Sequence, residues 1–115
     1  MLFNVPVELA IKLFVFISAF DILSGYASAF YNREANSKVS YKGLSRKIGL
    51  MIGLGLAYLL DMLVNTGGTE FLSLTFYAIF AMEGLSILEN LEKMGIELPF
   101  LKDRFAKMKE PKKPE

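Results

Sequence analysis

The chain has 115 residues, of which 53% are hydrophobic and 22% charged; its formal net charge is +1, and it contains neither cysteine nor histidine. Lack of cysteine excludes disulfides and thiolate metal sites, and lack of histidine removes the commonest metal ligand and the usual general base. What remains is a charge pattern, because nearly all the ionisable residues lie outside three apolar stretches.

The first stretch, Val7 to Phe30, contains Lys12 near its start and Asp21 near its middle. No basic region precedes it and basic residues follow it, which predicts a retained span rather than a cleaved signal peptide. Ser18, Asp21, Gly25 and Ser28 fall on one helical face. The segment that follows, with Arg33, Lys38, Lys42, Arg46 and Lys47, reads as a basic loop. The second stretch, Ile48 to Val64, rises about 26 Å as a helix and is near the lower limit for a span. Arg46 and Lys47 are expected to extend it by placing their charges among headgroups. Gly49, Gly53, Ala57 and Asp61 recur every four residues along it, a candidate packing stripe of small residues. Gly53-Leu54-Gly55 lies inside this apolar run, where a phosphate cradle has no place, and no P-loop, dinucleotide fingerprint or nucleophile elbow occurs. The chain reads as non-enzymatic, with no cofactor and no metal.

The turn from Asn65 to Glu70 has no basic residue, and the third stretch, Phe71 to Leu88, contains Glu83. Ser73, Tyr77, Ala81 and Gly84 share a face of it. Glu89 to Met94 continues that helix, and Gly95 is placed to end it as a left-handed cap. After Pro99, the spacing of Leu101, Phe105 and Met108 opposite Lys102, Arg104, Lys107 and Lys109 predicts a short basic amphipathic helix suited to anionic headgroups. Pro111 to Glu115 reads as a disordered end.

Apolar character all round each stretch predicts an all-α integral membrane protein, with a membrane domain over 1–98 and an amphipathic helix and basic tail over 99–115. Lys and Arg accumulate on the cytoplasmic side, and both basic segments fall inside if three transmembrane helices (7–30, 48–64 and 71–88) run from an outer N-terminus to an inner C-terminus. That topology accounts for the basic tail without nucleic acid. A carboxylate at the centre of a span costs about 2.5 to 3.5 kcal/mol on insertion scales and normally faces a partner or water. No basic residue lies deep in a span to pair with the acids; Lys12 at best approaches Asp61. Asp21 falls near the bilayer middle, Asp61 near the outer face and Glu83 nearer the cytoplasm, so they read as three separate polar marks. Two readings of these faces stay open: they hold three helices together within one subunit, or they meet other copies and later line water.

Glu83-Gly84-Leu85-Ser86-Ile87-Leu88-Glu89-Asn90, Asp21-Ile22-Leu23-Ser24-Gly25, the loop ending Gly43-Leu44-Ser45-Arg46-Lys47, the span closing at Leu60-Asp61 and the tail introduced by Glu97-Leu98-Pro99 together resemble the small bacteriophage holins of the toxin secretion and phage lysis type. The resemblance covers about residue 15 to residue 110. It implies a homo-oligomer in the cytoplasmic membrane of the host bacterium that forms lesions, releasing an endolysin or exporting a large toxin without necessary direct contact. Many such proteins have two closely spaced start methionines; here Met51 is the next after Met1, so a dual-start inhibitor is not expected. The competing readings are a small transporter or accessory subunit that uses the acids for protons or cations, and a membrane scaffold.

Overall fold

The computed structural model describes residues 4–32 and 37–109, with side chains at 4–32 and 42–108. Over these residues the chain forms four helices: α1 (Val7–Tyr31), α2 (Ser37–Val64), α3 (Glu70–Glu92) and α4 (Pro99–Lys109). The helix limits follow the three apolar stretches except at the start of α2. The segment read as a basic loop is instead about three further turns of α2. It contains no proline, its Lys, Arg and Leu residues are good helix formers, and Gly43 is its one weak point. Arg33, Lys38 and the tail from Pro111 to Glu115 lie outside the residues whose side chains are described, as does the Lys109 side chain.

Chain reversals fall where the backbone chemistry permits them. Gly67 and Gly95 both adopt φ of +84°, a conformation that costs other L-residues about 1–2 kcal/mol. At Gly95 the predicted cap is present: its N–H donates to the Glu92 carbonyl at 2.9 Å, and the Ile96 N–H reaches back to Leu91 at 2.9 Å. Pro99 then opens α4 at the first helical position, where a missing N–H costs nothing.

α3 is the central helix and packs against each of the other three. α1 runs parallel to it, with the Val5 N–H bonded to Ser73 Oγ at 2.8 Å near one end and Asn32 beside the Lys93 carbonyl at the other. The buried positions of α1 include Ala10, Phe14, Ile17, Asp21, Ser24 and Ser28, alternating steps of four and three as in a coiled-coil seam. α2 follows the same rule through Lys47, Leu54, Ala57 and Asp61, with Leu50 partly buried between the first two. α3 buries two such seams, one through Leu72, Phe76, Ile79 and Glu83 and one through Ala81, Gly84 and Leu88, because it has neighbours on two sides.

The distribution of polarity is inside-out. Val5, Ala10, Phe14, Leu54, Leu72, Phe76 and Ile79 form an apolar cluster towards one end, while Asp21, Lys47 and Glu83 are buried next to it, near the middle of the bundle. The outer surface is apolar, with Leu63 78% exposed, Phe30 70% and Leu23 63%. Monomeric soluble proteins rarely expose contiguous apolar patches beyond a few hundred Å²; here the exposed face runs along α1 and α2. Lys42–Val64 and Glu70–Glu92 are each long and apolar enough to cross a bilayer, with mean hydropathy 1.8 and 1.7.

Candidate functional site: a buried lysine between two carboxylates

Lys47 is buried, and its ammonium donates to Asp21 Oδ2 at 2.6 Å and to Glu83 Oε1 at 2.8 Å. One side chain from α2 therefore ties α1 to α3. The second Glu83 oxygen accepts from Arg46 Nη1 at 3.3 Å, and the Glu83 side chain is 0% exposed. Two carboxylates and two cations leave the cluster formally neutral, the condition under which ionised groups persist away from water. Arg46 is its open side: its half-exposed side chain, with Met82, Leu85, Ser86 and Glu89, lines a cleft of about 410 Å³.

This arrangement corrects three expectations. Lys47 is not a membrane-surface residue but the centre of the cluster, and a basic residue does reach the acids. Asp21 and Glu83 are not separate marks, since they share one ammonium. Extension of α2 inward is the physical reason, because it carries Arg46 and Lys47 alongside α3 instead of leaving them on a loop. Arg46 keeps part of its expected exposure, and Lys102, Arg104 and Lys107 lie on the exposed face of α4.

Asp61 stands apart with a different task. Its Oδ1 accepts from the Phe71 N–H at 2.8 Å and from Asn65 Nδ2 at 3.0 Å, and its Oδ2 accepts from the Leu72 N–H at 2.8 Å. The Phe71 and Leu72 N–H groups belong to the start of α3 and have no partner within their own helix, and negative charge is favoured there. Asp61 thus closes the α2–α3 turn. Lys12 does not approach it, pairing instead with Glu8 at 3.3 Å on the surface.

The small-residue faces divide. Ser18 and Ser28 are buried, and Gly25 lies beside the Asn90 amide, at 3.7 Å from where a Cβ would be. Asn90 donates to Ser24 Oγ at 3.0 Å, and Ser24 in turn donates to the Asp21 carbonyl. Ala57 is buried, whereas a Cβ at Gly49 or Gly53 would meet nothing within 4 Å. A four-residue stripe drifts about 40° per step around a helix of 3.6 residues per turn, so the stripe leaves the seam that its Ala57 and Asp61 end occupies. Within the octet, Glu83 is in the cluster, Leu88 is buried and Ile87 half-buried, Ser86 and Glu89 line the cleft, and Asn90 holds α1.

Gly84 has a specific steric role. A Cβ there would lie 2.3 Å from the ring of Phe105, which also packs against Phe80 with ring centroids 5.8 Å apart. α4 therefore folds back along α3, held also by Lys102 paired with Glu92 at 3.0 Å. Its apolar face is used on protein at Phe105 rather than only on headgroups. Gly84→Ala is expected to expel Phe105 and release α4, read as faster tryptic cleavage at Lys102 and Arg104; an unchanged cleavage rate would contradict the docking.

Fold and site define a class: a small helical membrane protein that turns hydrocarbon outward and pairs its charges inside. The chain belongs to the bacteriophage holin family, which it matches over residues 2–110. It is 33% identical over 93 residues to an uncharacterised protein of Listeria monocytogenes, covering 81% of this chain and 66% of that one. It is 34% identical over 89 residues to an uncharacterised 14.9 kDa protein of Clostridium perfringens, covering 77% and 67%. A protein of Bacillus phage phi105 named as a probable holin is 30% identical over 90 residues, covering 77% and 65%. The chain thus spans about two thirds of the length of these curated relatives. No solved structure matches it.

Proposed function

We propose that the chain acts as a holin in the bacterial cytoplasmic membrane. α1, α2 and α3 cross the bilayer with the N-terminus outside and the C-terminus inside, copies accumulate and oligomerise, and a rearrangement opens lesions. An endolysin then reaches the peptidoglycan, or in another setting a large toxin leaves the cell. The observation that carries this reading is the inside-out bundle, whose neutral ion cluster is enclosed while its outer face suits lipid. Enclosed charges are compatible with quiet accumulation. When helices separate, the same groups gain water and stabilise a wet wall, since ionised side chains within a membrane otherwise need a partner or a water-filled cavity.

The Lys47 ammonium occupies the space between Asp21 and Glu83, which favours this reading over a transporter that would hold a cation there. Purified protein in vesicles loaded with a small dye and a protein-sized cargo is expected to release both once a critical density is passed. Retention of both would support a scaffold and overturn the proposal; release of the dye alone would overturn its lesion size.

A further inference from the structure

The arm formed by α4 has one seat on the protein and a hinge on which to leave it. Among the described residues, α4 packs against α3 and no other helix. Its anchors are the Phe105 ring in the notch left by Gly84, the Phe80–Phe105 contact and the Lys102–Glu92 pair. The connection over 93–98 is mostly exposed, and it reverses direction through the positive φ of Gly95. Every copy thus carries one arm and one complementary notch.

Resting on the oligomeric reading above, we propose that neighbouring copies exchange α4, so that Phe105 of one chain seats in the Gly84 notch of a second copy. Exchange preserves each anchoring contact and changes only the hinge, which makes it a low-cost route to association. The geometry allows it: helices in contact lie about 8–10 Å apart, and six extended residues reach about 20 Å. Reciprocal exchange between two copies closes a dimer, whereas an arm passed on to a third copy makes a head-to-tail contact that propagates into rings or open arrays. Growth then rises with surface density, because a second copy must compete with the chain's own arm for its notch.

The native Lys102–Glu92 pair reports the exchange without altering the notch. A carbodiimide joins an amine to a carboxylate with no spacer, and this pair is 3.0 Å apart and partly exposed. Unlabelled and nitrogen-15-labelled full-length chains are mixed in vesicles, treated with the reagent, and digested for mass spectrometry. The expected result is a Glu92–Lys102 cross-linked peptide of mixed isotopic origin, whose share rises with protein density and which is lost in Gly84→Ala. Cross-links of single isotopic origin at every density would overturn exchange, as would mixed cross-links that persist unchanged in Gly84→Ala. Gly95→Ala, which strains the reversal that returns the arm to its own chain, is expected to raise the mixed share; a fall would count against the proposal. Cargo release is scored separately on the untreated wild-type vesicles, so that failure of the exchange and failure of the lesion reading are told apart.

Discussion

Replacing Lys47 with methionine is expected to destabilise the helix bundle by about 3–5 kcal/mol, the usual cost of removing one partner from a buried ion pair. Asp21 and Glu83 are both buried and both bonded to this ammonium, so its loss leaves two like charges facing each other in a low-dielectric interior. Arg46, half-exposed and bonded to only one oxygen of Glu83, cannot replace it at Asp21 without leaving its own position. The double variant Asp21→Asn, Lys47→Met leaves Glu83 paired with Arg46, removes the imbalance and is expected to recover most of the loss, because replacing a buried ion pair by uncharged groups is often close to neutral in stability. Unfolding by sodium dodecyl sulfate from mixed micelles, followed by circular dichroism, measures both. Equal stability of Lys47→Met and wild type would contradict the cluster. Within cells the single variant is expected to lyse early or fail to accumulate, whereas Asp61→Asn, outside the cluster, is expected to leave lysis timing closer to wild type.

The second large effect is expected at Asp61. Asp61→Ala leaves the Phe71 and Leu72 N–H groups and the Asn65 amide without their acceptor. Hydrogen exchange at those two backbone amides is expected to rise about tenfold or more, since each loses a hydrogen bond at a helix end that has no internal substitute. Asp61→Asn retains one side-chain carbonyl and is expected to fall between. The effect is local: exchange at Phe76 and Ile79, one to two turns further along α3, should stay near wild type. Uniform acceleration along α3 would show instead that Asp61 supports the whole bundle.

Much of this architecture is legible in the residues. The three apolar stretches, the cap at Gly95, the start of α4 at Pro99 and the polar character of Ser18, Asp21 and Ser28 all follow from local chemistry, and local chemistry is what a single chain displays. The ion cluster is not local. Lys47 sits 26 residues from Asp21 and 36 from Glu83, and its place among basic neighbours gives it the look of a loop residue. A usable signal was present nonetheless. Starting from Asp61 and stepping inward by alternating four and three residues gives Ala57, Leu54, Leu50 and Lys47, the seam that α2 buries. A constant step of four shares Ala57 but then gives Gly53 and Gly49, each one residue, or about 100° around the helix, from Leu54 and Leu50. The role of Gly84 was partly visible as a small residue on a packed face, but its occupant was not, because Phe105 arrives from beyond a chain reversal.

The acids therefore divide by task. Asp61 serves the fold by closing the turn into α3, and Asp21 and Glu83 serve the enclosure of charge. Under the proposed mechanism only the second pair changes environment when a lesion opens.

Ser18 offers the most direct view of that change. It is buried one turn before Asp21, beside the same seam, and among the described residues its hydroxyl has no hydrogen-bond partner. The chain has no cysteine, so Ser18→Cys introduces a single, nearly isosteric thiol without breaking a bond. Labelling by a charged, membrane-impermeant thiol reagent is measured in cells during accumulation and again after the onset of lysis. No labelling is expected while the protein accumulates and rapid labelling once lesions open; equal labelling at both times, or none at either while lysis proceeds, would contradict exposure of the cluster to water on opening.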